Sequence, residues 1–306
     1  MTIIVPYSAE WHLARRSVIG ASEVAALFGV QADYQMSHYT LWQVKSGRIP
    51  EPGVDGERPR WGKMLEDAIG AAAAETYGWT IAPGRWLRDK HCALAATLDF
   101  EIVAPEPAVL ETKNVDWIVH RRQWGAEPPI HVQLQHQAQL AVTGLANGYV
   151  CALVGGNHLE RYEFAARPKI IDETRRRVDA FWKSVEEGRE PPIDGSDSTA
   201  AAVKALFPES TDDEPADMTG DNALPQLCAD MLNAAESRKA AEKTEQAAKS
   251  GILAKLGAHA KAKCEGFFIS AADVKATPDK IITDEMVGQT IKGRAGYRRI
   301  SVKELT

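Results

Sequence analysis

The chain has 306 residues, 44% of them hydrophobic and 25% charged, with a net charge of −6. These values describe a globular chain with room for one sizeable domain plus an appendage, or for two small domains. They exclude a protein that coats nucleic acid with a broad basic face, so any DNA would be handled in a focused channel. No apolar run approaches the ~18 residues of a membrane span. The opening residues MTIIVPYSAEWHLARR lack the charged-then-apolar order of a signal peptide. Four scattered cysteines (Cys92, Cys151, Cys228, Cys264) form no CxxC pair. That argues against zinc, iron–sulfur and disulfide frameworks and fits a reducing cytoplasm.

Charge is unevenly spread. Residues 1–195 carry 21 basic and 25 acidic side chains, residues 196–221 one and seven, and residues 222–306 fourteen and ten. The expected organisation is a body over 1–195, an acidic, loose linker over 196–221, and a basic tail over 222–306.

Near the N-terminus, GASEVAALFG predicts a short helix with Ser22 as N-cap and Gly29 as stop. A second short helix is expected over 40–47, followed by a Pro/Gly-rich loop over 48–60. WGKMLEDAIGAAAAETYG predicts a helix over 61–78, ended by Gly78. Alternation over 79–104 predicts strands. With the PEP turn and AVLETK, residues 94–113 read as a hairpin. Residues 130–144 have helical length and end in Gly144, and YVCALVGG (149–156) reads as a buried strand. An amphipathic helix follows over 170–187, with Ile171, Val178, Phe181, Trp182 and Val185 apolar among charges. The tail predicts a long Ala-, Lys- and Glu-rich helix over 222–257, then a small β element from FFISAADV and YRRISVK.

The charges inside the hairpin need a reason. Successive side chains of a strand alternate faces, so Glu111 and Lys113 share one and Leu110 and Thr112 the other. Asp99, across the PEP turn, can sit beside Glu111. Two carboxylates meeting at a strand end repel unless a cation holds them, and an oxygen-rich set suits Mg²⁺ or Mn²⁺. The Thr112 carbonyl can complete the set. Lys113 then stands where it can orient or deprotonate an attacking water, or stabilise a pentavalent phosphate. A solvated hairpin face would give the same short pattern, so context matters. Glu66 lies on the upstream helix. Arg15, Arg16 and Ser22 offer a guanidinium and a hydroxyl at a helix start, which suits a phosphate. Gln135 and Gln139 lie one turn apart on one helix face, with His131. Arg58, Arg60, Lys63, Arg85, Arg88, Arg121 and Arg122 can track a DNA backbone. Each of these alone also fits an ordinary surface.

In order, the blocks WHLARRSVIGASEVAALFG, YTLWQVKSGRIPE, WGKMLEDAI, TLDFEI, LETKN, VQLQHQAQLAVTG and YVCALVGGN resemble the YqaJ-type viral recombinases. Those proteins group with phage lambda exonuclease in the restriction-endonuclease-like PD-(D/E)XK superfamily. The resemblance spans roughly residues 8–190. It implies an α/β (α+β) core with a central mixed β-sheet flanked by helices, here followed by the C-terminal helical arm and small β element.

It also implies a Mg²⁺-dependent exonuclease, with Mn²⁺ as substitute, that degrades one strand of linear duplex DNA from its 5′ end. The resulting 3′ overhang would pass to a single-strand annealing protein, and a homotrimeric ring is the implied assembly. Under the resemblance Asp99, Glu111 and the Thr112 carbonyl hold metal. Lys113 is the catalytic lysine, Glu66 the helix acid that holds a metal water, and Gln135 the glutamine near the nucleophile, a role Gln137 could share. Arg15 and Ser22 bind the 5′-phosphate. The competing readings are a restriction-type or RecB-like endonuclease and a non-catalytic module that binds DNA ends or a partner. The tail beyond 195 has no counterpart in lambda exonuclease.

Overall fold

The computed structural model describes residues 5–6, 8–53, 56–209, 214, 216–276, 280–281, 290–291 and 297–304. It divides into two compact units, Met1–Thr211 and Asp212–Thr306.

The first unit opens with helix α1 (Ala9–Arg15), strand β1 (Ile19–Gly20) and a 3-10 turn (Ala21–Glu23). Helices α2 (Val24–Phe28), α3 (His38–Lys45) and α4 (Glu57–Tyr77) follow. Then come strands β2 (Thr80–Pro83), β3 (Trp86–Arg88), β4 (Leu94–Thr97), β5 (Phe100–Ala104) and β6 (Ala108–Val115). After helices α5 (Trp117–Gln123) and α6 (Ile130–Thr143), strands β7 (Asn147–Val154) and β8 (His158–Ala165) complete the sheets. Helices α7 (Pro168–Glu186) and α8 (Asp197–Leu206) close the unit.

The main sheet has the order β2-β5-β6-β7-β8. Only β6 and β7 run parallel, joined through the α6 crossover; the other pairs are antiparallel. The unit is therefore mixed α/β, with a central mixed sheet flanked by helices. Because β6 is central, both of its faces are covered. Ala108 and Leu110 pack with Ile69 and Ala73 of α4, whereas Val109 packs with Leu134 and Ala138 of α6. Each fully buried Leu or Ile contributes about 1.5–3 kcal/mol. Gly70 lets α4 lie this close, since a Cβ there would meet the Phe100 ring at 2.5 Å.

A second sheet, β1-β4-β3, sits beside the first. This corrects the expected 94–113 hairpin. The hairpin is β5–β6, and β4 leaves it to pair in parallel with β1, Ile19 against Leu94. The apolar run through Leu94–Phe100 conceals the break, because both strands bury their side chains and only Leu98 and Asp99 separate them.

The N-cap expected at Ser22 is also corrected. Ser22 lies inside the 3-10 turn that starts after Gly20, and the Glu23 carboxylate reaches back 2.7 Å to the Gly20 N–H. Gly29 ends α2 with a left-handed φ of 68°, as expected.

The stretch expected as a loose linker begins with α8, which belongs to the first unit. Ser196 caps it, and Thr199 and Ser198 bond Ser37, the N-cap of α3, at 2.7 and 3.0 Å while Ala202 packs with Tyr39 and Ile49. DSTAAAVKAL is rich in helix formers, and most of the acids follow it. Residues 210–213 and 215 of that stretch lie outside the described residues.

The second unit contains α9 (Leu224–Leu256), at 33 residues about 50 Å long. It also holds an antiparallel sheet of β9 (Lys261–Cys264), β10 (Phe267–Val274) and β13 (Tyr297–Glu304), in the order β13-β10-β9. Lys280–Ile281 and Thr290–Ile291 pair as two further short strands, β11 and β12. Among the described residues no helix is long and apolar enough to cross a membrane.

Candidate active site

The site forms where β6, the start of β5 and α6 meet. Strand β5 begins only at Phe100, opposite Leu110, so the Thr112 N–H finds no ladder partner from it. The Asp99 side chain takes that place. Its Oδ2 accepts from the Thr112 N–H at 2.8 Å and from the Thr112 hydroxyl at 2.9 Å. The odd-numbered side chains of β6 face α6, which carries Glu111 and Lys113 against the glutamines. Glu111 is 3% exposed. Its Oε1 accepts from Lys113 Nζ at 2.5 Å and Gln135 Nε2 at 2.6 Å, and its Oε2 from Gln139 Nε2 at 2.5 Å. Lys113 Nζ also donates to Gln135 Oε1 at 3.2 Å.

The electrostatics follow from this crowding. Burial, then the Glu111 charge, hold Asp99 well above the usual carboxylate range, and Glu66 adds to the rise. Burial pulls the Lys113 ammonium down, but Glu111 and Asp99 more than reverse this, so it stands above its ordinary value. Glu66 projects from α4 with its carboxylate 2.9 Å from Lys63 Nζ. Behind Glu111, His136 is fully buried against Phe164 and drops to about 4, chiefly by desolvation.

Among the described residues no three His, Cys, Asp or Glu side chains converge as a metal cage. The donor set is two carboxylates with a main-chain carbonyl beside them. Hard oxygens and a carboxylate whose charge is disfavoured by its neighbour fit a divalent cation of the Mg²⁺ class.

A cavity of about 50 Å³ opens beside this cluster, lined by Arg15, Gly20, Ser22, Thr97 and Gln135. Arg15 stacks on Trp11 with its guanidinium carbon 4.8 Å from the ring centroid. Its Nη2 lies 2.7 Å from Glu23 and 3.4 Å from Glu51. Glu23 is buried between Arg15 and Lys45, whose Nζ is 2.9 Å away.

The structure thus brings Asp99, Glu111, Thr112, Lys113 and Gln135 into one cluster, and puts Arg15 and Ser22 on the adjoining cavity. Gln137 turns away: its amide donates to the Ala165 carbonyl and accepts from the Arg167 N–H. The sequence reading gave no role to Thr97, Glu23 or His136, and placed Gln139 on the Gln135 face without a partner. The four-residue spacing of the glutamines was the available signal. Thr97 ends β4 and Asp99 lies in the bend before β5, so strand periodicity could not relate them.

Residues 10–146 match the model of the YqaJ-like viral recombinase domain. The chain is 28% identical over 225 residues to the uncharacterized protein YqaJ of Bacillus subtilis (strain 168), which covers 70% of this chain and 67% of that protein. Its fold overlaps the crystal structure of the alkaline exonuclease LHK-Exo from Laribacter hongkongensis at 18% identity. That overlap covers 60% of this chain and 94% of that one, with a TM-score of 0.49. A phage related exonuclease from Haemophilus somnus 129PT overlaps at 11% identity over 56% and 94% of the two chains, with a TM-score of 0.44.

Proposed function

We propose that this protein is a divalent-metal-dependent exonuclease that digests one strand of linear duplex DNA from a 5′-phosphorylated end. The observation that carries the reading is the convergence of Asp99, Glu111, Lys113 and Gln135 beside a cavity lined by Arg15 and Ser22. Asp99, Glu111 and the Thr112 carbonyl would hold the metal, Mg²⁺ with Mn²⁺ as substitute. When bound, the ion supplies charge neutralisation at the scissile phosphate and a more acidic water.

The chain's own groups do the rest. As an ammonium, Lys113 donates a hydrogen bond toward the phosphoryl oxygens as negative charge builds on them. Gln135, bonded to both Lys113 and Glu111, holds the two in register. Glu66, on α4 and close enough to raise the Asp99 pKa, would offer an acceptor for the attacking water. Water adds to phosphorus, the P–O3′ bond breaks, and the proton lost by water leaves to solvent as the 3′ oxygen is protonated. Arg15 and the Ser22 hydroxyl would receive the terminal phosphate, since guanidinium and hydroxyl donors suit that dianion.

The activity would run 5′→3′ in the cytoplasm and leave a 3′ overhang for a single-strand annealing protein. A homotrimeric ring would explain how a chain of net charge −6 stays on DNA, because enclosure replaces a tight electrostatic grip. The test is a linear duplex with one 5′-phosphate, labelled separately at each end, incubated with Mg²⁺ and then with chelator. Stepwise loss of the phosphorylated strand, dependent on metal, is the expected result. Intact DNA in both Mg²⁺ and Mn²⁺ refutes catalysis. Internal cuts or loss from the 3′ end refute the polarity and the phosphate seat.

A further inference from the structure

Glu111 makes three bonds, and their distribution over its two oxygens is unequal. A carboxylate offers about four lone-pair sites, two per oxygen. Oε1 is occupied twice, by Lys113 and Gln135, and Oε2 once, by Gln139. The unspent site on Glu111 is therefore on Oε2. The same count on Asp99 finds Oδ2 occupied twice by Thr112.

Gln139 can donate to Oε2 only with its amide turned one way, and a buried neighbour fixes that turn. Its Nε2 is spent on Glu111, so its Oε1 faces His136 Nδ1 at 3.0 Å and requires a donor there. His136 meets this as the neutral Nδ1–H imidazole. The ring cannot retreat, for β7 passes behind it at Gly148, where even a Cβ would lie 2.2 Å from Nε2. His136 and Gln139 are both fully buried, so no water competes for these bonds.

We propose that Gln139, locked by His136, is a positioning residue that aims Oε2 of Glu111 at the metal and so sets metal affinity. This rests on the metal-site reading above. An outer hydrogen bond to a ligating group typically carries a 10–100-fold effect on metal affinity. Gln135, bonded to the other oxygen, acts on Lys113 instead.

The experiment is a Mn²⁺ titration of the full chain without DNA, followed by electron paramagnetic resonance, on wild type, Gln139→Met and His136→Phe. Gln139→Met keeps the side-chain length while removing the bonds to Glu111 and His136, and His136→Phe keeps a ring while removing only the bond to Gln139. Melting in chelator checks their folding. The expected result is a Kd for Mn²⁺ raised about 10–100-fold in each. The Mn²⁺ concentration for half-maximal digestion rises in step, with the saturated rate close to wild type. Variant affinities within twofold of a wild type that does bind Mn²⁺ overturn the inference and leave the metal site standing. A wild type that binds no Mn²⁺ overturns both. If a variant fails to fold, the wild-type Gln139 side-chain amide is followed by nuclear magnetic resonance during Mg²⁺ addition. A shift of that resonance supports the role, and an unmoved resonance at saturation refutes it.

Discussion

Replacing Gly84 with alanine tests how the protein holds Asp99. Gly84 lies between β2 and β3, and its N–H donates to the Asp99 carbonyl at 2.9 Å. A Cβ at this position would lie 2.0 Å from the Leu98 carbonyl oxygen and 2.7 Å from the Asp99 carbonyl carbon. These are main-chain atoms with no rotamer to change. Bringing the first contact to the 3.0 Å that real Cβ atoms respect requires a shift of about 1 Å in the Leu98–Asp99 backbone. Crowding of this kind costs about 1–3 kcal/mol of stability. The same shift pulls the Asp99 carboxylate from its two bonds to Thr112, and a 1 Å misplacement at a reacting centre costs about 100-fold in rate. Initial rates of metal-dependent digestion and thermal melts are measured together. Gly195→Ala, with no atom within 4 Å of its Cβ, serves as the control. Gly84→Ala with wild-type rate and wild-type melting would show that the close approach does not constrain Asp99 and would refute the reasoning.

Three further outcomes are expected. Lys113→Met keeps the aliphatic stem but removes the charge between Glu111 and Asp99. Digestion should fall at least about 100-fold with the fold intact by circular dichroism; an active variant removes Lys113 from the chemistry. Asp89, almost fully buried, accepts from Arg175 at 2.8 Å and from the His91 and Cys92 N–H groups. Burial raises its pKa, yet these partners together hold it below the usual carboxylate value. Its stabilising effect is thus present above the unfolded-state value and lost as pH falls through the lower folded one. Asp89→Asn should cost about 3 kcal/mol near pH 7, with the gap to wild type closing below about pH 4 in urea melts; a gap that persists unchanged into acid contradicts the pair. Thr199→Val removes the hydroxyl bonded to Ser37 and should cost about 1–2 kcal/mol, read as a lower melting temperature; no change would mean that this bond does not help hold α8.

The residues of the candidate cluster stood out in the sequence because a strand displays its charges openly. Glu111 and Lys113 interrupt an apolar run, and strand alternation puts both on one face. Asp99 stood out as a charge in an apolar run, though it lies between β4 and β5 and not on a strand of the expected hairpin. The pairing of β4 with Ile19–Gly20 depends on a segment about 75 residues earlier in the chain, and no local pattern carries that. Helix starts were less legible than helix stops. Gly29, Gly78 and Gly144 each end a helix with left-handed φ, a demand only glycine meets cheaply. The hydroxyl cap expected at Ser22 gave way to the Glu23 carboxylate, which bonds the Gly20 N–H. His136 stayed hidden, and Gln139 without a partner, because α6 is buried on nearly every side, so periodicity no longer separates a packing face from a bonding one.

Thr97 ends β4 and lines the cavity beside Arg15 and Ser22, while Asp99 lies just before β5, bonded to Thr112. The two positions are separated by Leu98 alone, so their main chains lie no more than about 7 Å apart. That span is similar to the distance between neighbouring phosphates on an extended nucleic-acid strand. On the proposed reading, the end of the strand and the bond to be cut are measured off against a fixed two-residue ruler. The spacing between cavity and carboxylate would then be set by covalent chain length rather than by any moving part. Adding a residue beside Leu98 should lengthen the ruler and blur the step.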